Sequence, residues 1–253
     1  MNHAFVLLTP LLLLPIIALL GFVGCNLVFP LQAPVATPVQ HVQTVVKSAT
    51  AGASSIAADP LTLAGGELLI VTVQWRSPTV QQPPPALSGA VFSPIPGAGP
   101  FDWNGMNIQS FVATNPANST SVAVQAQLAG GSIVPWNLCV TAYKGYDPDS
   151  PVYSPISSGP IFVGTDIKSP AINVGEGDKV YAVAFAADND GTFPGSNSLT
   201  PGANFTAEFT VVANPMVEDG GSGNPVVAEA INTASGPNPR GFIFAMGIKA
   251  QSA

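Results

Sequence analysis

Two cysteines, two histidines and fourteen carboxylates are the residues available for demanding chemistry in this 253-residue chain. A nucleophilic triad needs imidazole beside a hydroxyl or thiol, because imidazole is the usual base near neutral pH. His3 lies in an apolar leader, and His41 reads as a solvated residue ahead of the first strand. Cys139 falls inside the apolar run WNLCVTAY, where a thiol behaves as a small buried hydrophobe. Zinc needs clustered His, Cys or carboxylate ligands, and the histidines and cysteines are dispersed. Calcium suits the sequence better, since it takes Asp, Asn and backbone oxygens from turns. Asp188 and Asp190 in ADNDGTF carry the Asp-x-Asp-Gly order of a calcium loop, although Leu199 stands where an EF-hand would end in a coordinating Glu. Asp147 and Asp149 in YDPDSP form a second carboxylate pair. For each stretch the alternative is an ordinary turn.

Glycoside hydrolysis needs two carboxylates about 5–9.5 Å apart across the scissile bond. Glu218 and Asp219 are adjacent in sequence, so on a strand they would point to opposite faces. Glu208 and Glu229 belong to separate strand candidates and could meet on folding. No catalytic residue is assigned. Sugar recognition wants exposed aromatic planes beside hydrogen-bonding groups. Phe101, Trp103 and Asn104 in the turn-rich GPFDWNGM are the candidate ligand-binding set, against the competing role of an aromatic plug at the end of a core.

Charge narrows the partners. The net charge is −7, and the seven Lys and Arg are scattered singly. A phosphate backbone needs clustered cations, so nucleic acid is not an expected partner. Charged residues are 8% of the chain, against about 25% in typical soluble proteins. The surface must then be covered largely by Ser, Thr, Asn and Gln, as in many exported β proteins.

The elements that would position these residues begin with a leader. From Phe5 to Phe29 no residue is charged, and LLLLPIIALLGFVG is long enough for a signal-peptide core or a membrane anchor. GFVGC at its end resembles the lipobox of bacterial lipoproteins: Gly24 precedes Cys25, with Phe22 where Leu is usual. The resemblance implies lipidation of Cys25, which would then become the mature N-terminus. An uncleaved anchor and ordinary signal cleavage stay open, and all three carry the rest of the chain across a membrane. Residues 1–25 are therefore expected to be a signal peptide or membrane anchor forming an apolar helix, 26–39 a proline-rich spacer, and 40–253 the folded domain.

The body alternates as strands do. Val122, Val124, Ala126 and Leu128 share one face of TSVAVQAQLA. Phe205, Ala207, Phe209 and Val211 share one of NFTAEFTVVA, and Phe242, Phe244, Met246 and Ile248 one of RGFIFAMGIKA. GGELLIVTVQW, PWNLCVTAYKGY and GDKVYAVAFAAD are apolar on both faces and suit central strands. Helical spacing of apolar residues is sustained nowhere. GGEL and GEGDKV start two strands alike, too little to establish a repeat. The expected fold is all-β, a two-sheet antiparallel β-sandwich preceded by the hydrophobic helix.

The series GGELLIVTVQW, NLCVTAYKGYD, EGDKVYAVAFAAD and NPVVAEAINTASGPNPRGFIFAMGIKA resembles the concanavalin A-like jelly-roll modules of secreted bacterial and phage surface proteins. That resemblance implies two antiparallel sheets and, in some members, carbohydrate binding. It transfers no site, because no diagnostic binding motif is present. The expectation is an exported surface protein of the cell envelope or extracellular face, anchored to the membrane by its N-terminal segment. Its role would be structural or adhesive, with a glycan or another surface protein as partner. The alternative is a secreted carbohydrate-active enzyme using carboxylates from separate strands. No cofactor other than calcium is expected.

Overall fold

A strand that is apolar on both faces is stable only when something covers each of them. The computed structural model describes residues 35–76, 83–103, 106–116, 118–133, 135–153, 156–157, 162–163, 166–187, 199–210, 216–221, 224–232 and 240–252. Among them every regular element is a β-strand, and the ladders are antiparallel. The leader with Cys25 lies outside the described residues, so the expected N-terminal helix does too.

One large sheet runs in the order β1 (Gln40–Ala49), β11 (Trp136–Lys144), β4 (Leu68–Arg76), β8 (Met106–Thr114) and β6 (Ser93–Pro94), with β7 (Phe101–Trp103) also on β8. Beside it lie a three-stranded sheet, β2 (Ser55–Ala57), β10 (Gln125–Gln127) and β5 (Ala86–Ser88), and a ladder of β3 (Leu61–Thr62) with β9 (Ser121–Val122). The second large sheet is β12 (Ile156–Ser157), β20 (Arg240–Ile248), β15 (Lys179–Ala187), β18 (Met216–Gly220) and β17 (Phe205–Thr210), with β13 (Phe162–Val163) also on β20. Its small companion is β14 (Asp166–Lys168), β19 (Glu229–Asn232) and β16 (Leu199–Pro201).

Side-chain alternation dictates how these sheets stack. Leu69, Val71 and Val73 of β4 and Leu138, Val140 and Ala142 of β11 pack with Ile56 and Ala126 of the first small sheet. The alternate residues Leu68, Ile70, Cys139 and Tyr143 face the other way and meet Tyr181, Val183, Phe244, Met246 and Ile248 of the second large sheet. Beyond them Val180, Ala182, Ile243 and Ala245 pack with Ile167 and Ala230 of the second small sheet. The layers run small, large, large, small. Each large sheet and its small companion make one two-layer sandwich, so the pair of layers expected from alternation occurs twice. The physical reason is that β4, β11, β15 and β20 bury both faces, and each face needs its own cover.

The strand plan occurs twice. In β1, β2, β4, β5, β8, β10 and β11, successive strands alternate between large and small sheets, and the last lies between the first and third. The series β12 with β13, then β14, β15, β16, β18, β19 and β20 repeats that order. GGEL and GEGDKV start the equivalent strands β4 and β15. Glu67 accepts the Ala64 amide at 2.6 Å and Asp178 the Gly175 amide at 2.6 Å, each from three residues back. Glu67 also accepts the Gly65 amide and, at 2.9 Å, Asn115 Nδ2. Asp178 also accepts the Ala250 amide at 2.7 Å and the Tyr153 hydroxyl at 2.5 Å. Burial alone would raise the Glu67 carboxyl, but the Asn115 amide and the Ala64 and Gly65 N–H groups together hold it below the ordinary carboxylate value. In each small sheet the middle strand in sequence, β5 or β16, is followed at once by a glycine, Gly89 or Gly202. At Gly89, with φ +104°, an added Cβ would sit 2.2 Å from the Ala123 carbonyl oxygen.

Glu67→Ala is expected to lower unfolding stability by about 3 kcal/mol, because it strips an acceptor from several buried donors at once. Glu67→Gln should lose only about 1 kcal/mol, and urea denaturation of the two variants checks the difference.

Candidate functional site

Where the two large sheets meet, polar side chains interrupt the apolar seam. They come from β1 of the first half and from β15, β17 and β18 of the second. β1 shifts register between His41 and Gln43 against β11, and β17 shifts between Ala207 and Phe209 against β18. Such bulges turn a side chain away from strict alternation. The one in β1 turns His41 towards Glu208, which alternation after Ala207 sets on this face: His41 Nδ1 lies 2.9 Å from Glu208 Oε2. Asp219 joins them from β18, and one ligand-type atom from each of the three residues lies within 4.8 Å of the others.

Asp219 and His41 are held from behind. Lys179 Nζ donates to Asp219 Oδ1 at 2.9 Å, and Asp219 is only 2% exposed. Thr44 Oγ1 lies 2.9 Å from His41 Nε2 and donates its own proton to Thr141 Oγ1 at 3.1 Å. The Tyr143 ring packs edge-on to His41 at 5.7 Å and to Tyr181 at 6.3 Å. The Tyr181 hydroxyl is 3.0 Å from Thr72 Oγ1, which is 2.8 Å from Ser110 Oγ, so hydroxyl contacts cross the seam. Asp219 Oδ2 and the Tyr143 hydroxyl are buried without a hydrogen-bond partner.

Burial and charge decide how these groups ionise. Glu208 is pushed up to about 7, first by burial and then by Asp219, against a lowering by Lys179. His41 is lowered, chiefly by burial and further by Lys179, although Asp219 opposes the shift. The Tyr143 phenol is raised well above its ordinary value by burial and by the Asp219 charge. The cluster therefore contains a nitrogen base and two carboxylates, with one lysine ammonium as fixed counter-charge.

Several residues singled out by sequence fall elsewhere. Cys25, Asn104, Asp188 and Asp190 lie outside the described residues. Phe101 and Trp103 belong to β7, where Phe101 pairs with Ile108 and Trp103 with Met106. Asp147 and Asp149 make a turn, the Asp149 amide donating to Asp147 Oδ1 at 3.0 Å. His41 lies within β1 rather than ahead of it and is half-buried, which corrects its reading as a solvated residue. Glu208 meets His41 and Asp219, whereas Glu229 pairs with Lys168 at 2.8 Å. Among the described residues no helix is long and apolar enough to cross a membrane.

Glu218 and Asp219 do take opposite faces. Glu218 turns into the core between the second large and small sheets, where its carboxyl has no hydrogen-bond partner. Burial raises it to about 8. The Gly202 amide opposes this shift, and the charge of Glu229 adds to it. Cys139 is buried, and its thiol is pushed up to about 12 by burial. Two concavities of about 290 and 530 Å³ flank the Glu67 and Asp178 turns, and neither is lined by His41, Glu208 or Asp219.

No protein-family model matches the chain, and no curated protein matches it significantly.

Two measurements bear on these buried groups. The Cys139 peptide should resist iodoacetamide at pH 8 in the native protein and react after denaturation, as mass spectrometry would show. Because the folded-state pKa of Glu218 lies above the ordinary 4.5, the folded protein holds a proton that the unfolded chain releases. Its contribution is complete below about pH 4.5 and is lost as pH rises to about 8. Glu218→Gln should thus match wild type near pH 4 and exceed it at pH 9 by on the order of 3 kcal/mol in urea unfolding.

Proposed function

We propose that the chain is an exported, membrane-anchored, non-catalytic β-sandwich protein of jelly-roll-like plan, with a structural or adhesive role at the cell surface. One observation carries this reading: its strongly bonded polar groups serve to hold the stack together. Glu67 and Asp178 tie turns, and Thr72, Ser110 and Tyr181 stitch the seam. Asp219 is buried and held by Lys179, so a glycosidic bond has no room to lie between it and Glu208. That weighs against a hydrolase.

The outer face of the first small sheet suits contact with a neutral partner. Ser55, Ala57, Ala86, Ser88, Gln125 and Gln127 are exposed there, all uncharged and short or amide-bearing. A glycan or another surface protein could be bound there through hydrogen bonds without desolvating charge. The uncharged leader and Gly24-Cys25 supply the address.

The full chain expressed in a bacterial host should incorporate a labelled fatty acid, and Cys25→Ser should abolish the label. Undiminished labelling would refute lipidation at Cys25. Protease added outside intact cells should degrade the body of the protein. Survival of the body under that treatment, with the cells unbroken, would remove the surface assignment itself.

A further inference from the structure

We propose that His41, Glu208 and Asp219 together bind one divalent transition-metal ion of the zinc class, through His41 Nδ1 and one oxygen of each carboxylate. The geometry of the site suits a cation: one ligand-type atom from each of His41, Glu208 and Asp219 lies within 4.8 Å of the others. Thr44 spends its hydroxyl proton on Thr141, so toward His41 it can only accept, and Nε2 must carry the ring proton. Nδ1 faces a carboxylate oxygen 2.9 Å away, a gap bridged by a proton in the metal-free protein and open to displacement of that proton by a metal. The metal has the donors it needs in a nitrogen and two anionic oxygens.

Three further observations agree. Asp219 Oδ2 makes no hydrogen bond of ordinary length on a side chain only 2% exposed, and the Tyr143 hydroxyl is the donor on that side of it. Tetrahedral zinc bonds of about 2.0–2.2 Å place neighbouring ligand atoms roughly 3.3–3.6 Å apart, so His41 and Glu208 would open slightly from 2.9 Å to admit the ion. The supporting contacts have the form found behind metal ligands. Thr44 fixes the imidazole tautomer, and Lys179 holds the far oxygen of Asp219.

Charge fits as well. Asp219 and Glu208 contribute two negative charges when ionised and Lys179 one positive, so a divalent ion changes the local sum from −1 to +1. His41 and Glu208 are each 18% exposed, which leaves a way in from solvent. Calcium fits poorly, because it takes 6–8 oxygens and avoids nitrogen. The ion would join β1 of the first half to β17 and β18 of the second, a cross-link between sheets that otherwise meet mainly through apolar contact.

Cobalt(II) is the probe, because it follows zinc coordination and absorbs visible light. Full-length protein purified in detergent and freed of metal should give a ligand-field band that saturates at one equivalent and is bleached by zinc. Glu208→Gln, which keeps the side-chain volume, and His41→Ala should each weaken binding by more than about tenfold, the scale of losing even a supporting bond behind a ligand. Glu229→Gln should leave it unchanged. Absence of the band in wild type would overturn the site and leave a shared proton in its place. So would affinity undiminished in Glu208→Gln, whose β-rich circular dichroism is compared with wild type to show that it folds.

Discussion

The double burial of the large-sheet strands is the constraint on which the rest of the molecule depends. In β4, residues Leu68 through Trp75 are all buried, as are Trp136 through Tyr143 in β11. A sheet made of such strands cannot face water on either side. Each must be sandwiched, and this chain meets the requirement by setting two large sheets against each other and capping each with a small one. With roughly 1.5–3 kcal/mol gained per fully buried Val, Leu, Ile or Phe, the seam between the large sheets outweighs any single polar contact in it. That is why the cluster around Asp219 can be carried at all.

Much of this architecture is legible in the sequence. The runs that are apolar on both faces are β4, β11 and β15, and the alternating run TSVAVQAQLA buries Val122, Val124, Ala126 and Leu128 while exposing Ala123, Gln125 and Gln127. What alternation does not reveal is how many layers are needed, because a buried face looks the same whichever sheet covers it. RGFIFAMGIKA illustrates this: Phe242, Phe244, Met246 and Ile248 form one face as expected, but Ile243 and Ala245 are buried on the other. The duplication is also faint. GGEL and GEGDKV share a carboxylate that binds the amide three residues back, yet Glu67 and Asp178 differ in type, and the strands that follow share little beyond apolarity.

The site was harder to see for a plain reason. His41, Glu208 and Asp219 are brought together only by the packing of one half against the other, and no short-range spacing encodes that. Sequence gives faces by parity, and His41 depends on a bulge that breaks it, whereas Glu208 keeps the face opposite Phe205 and Ala207. Alternation sets Glu208 on the face away from the small sheet that carries Glu229, and the packing of the two large sheets brings it to Asp219 instead. The visible signal was negative: a lone histidine at the start of an apolar-alternating strand, with no role of its own.

The duplicated plan allows the seam to be compared with itself. Ile70 pairs with Val112 in the first half, and the equivalent pair in the second is Tyr181 with Asp219. Leu68, at the start of β4, corresponds to Lys179 at the start of β15. The same backbone therefore closes the same seam with Leu68, Ile70 and Val112 on one side and with Lys179, Tyr181 and Asp219 on the other. Apolar side chains suffice for the fold at these places. A buried ion pair is often no better than well-packed hydrophobic residues and can be worse by 1–4 kcal/mol. Lys179 with Asp219, and Glu208 with His41, are thus an expense that the stack does not require. Groups retained at a cost to stability, converging from four strands of two sheets, are the place in this protein where chemistry other than folding is to be sought.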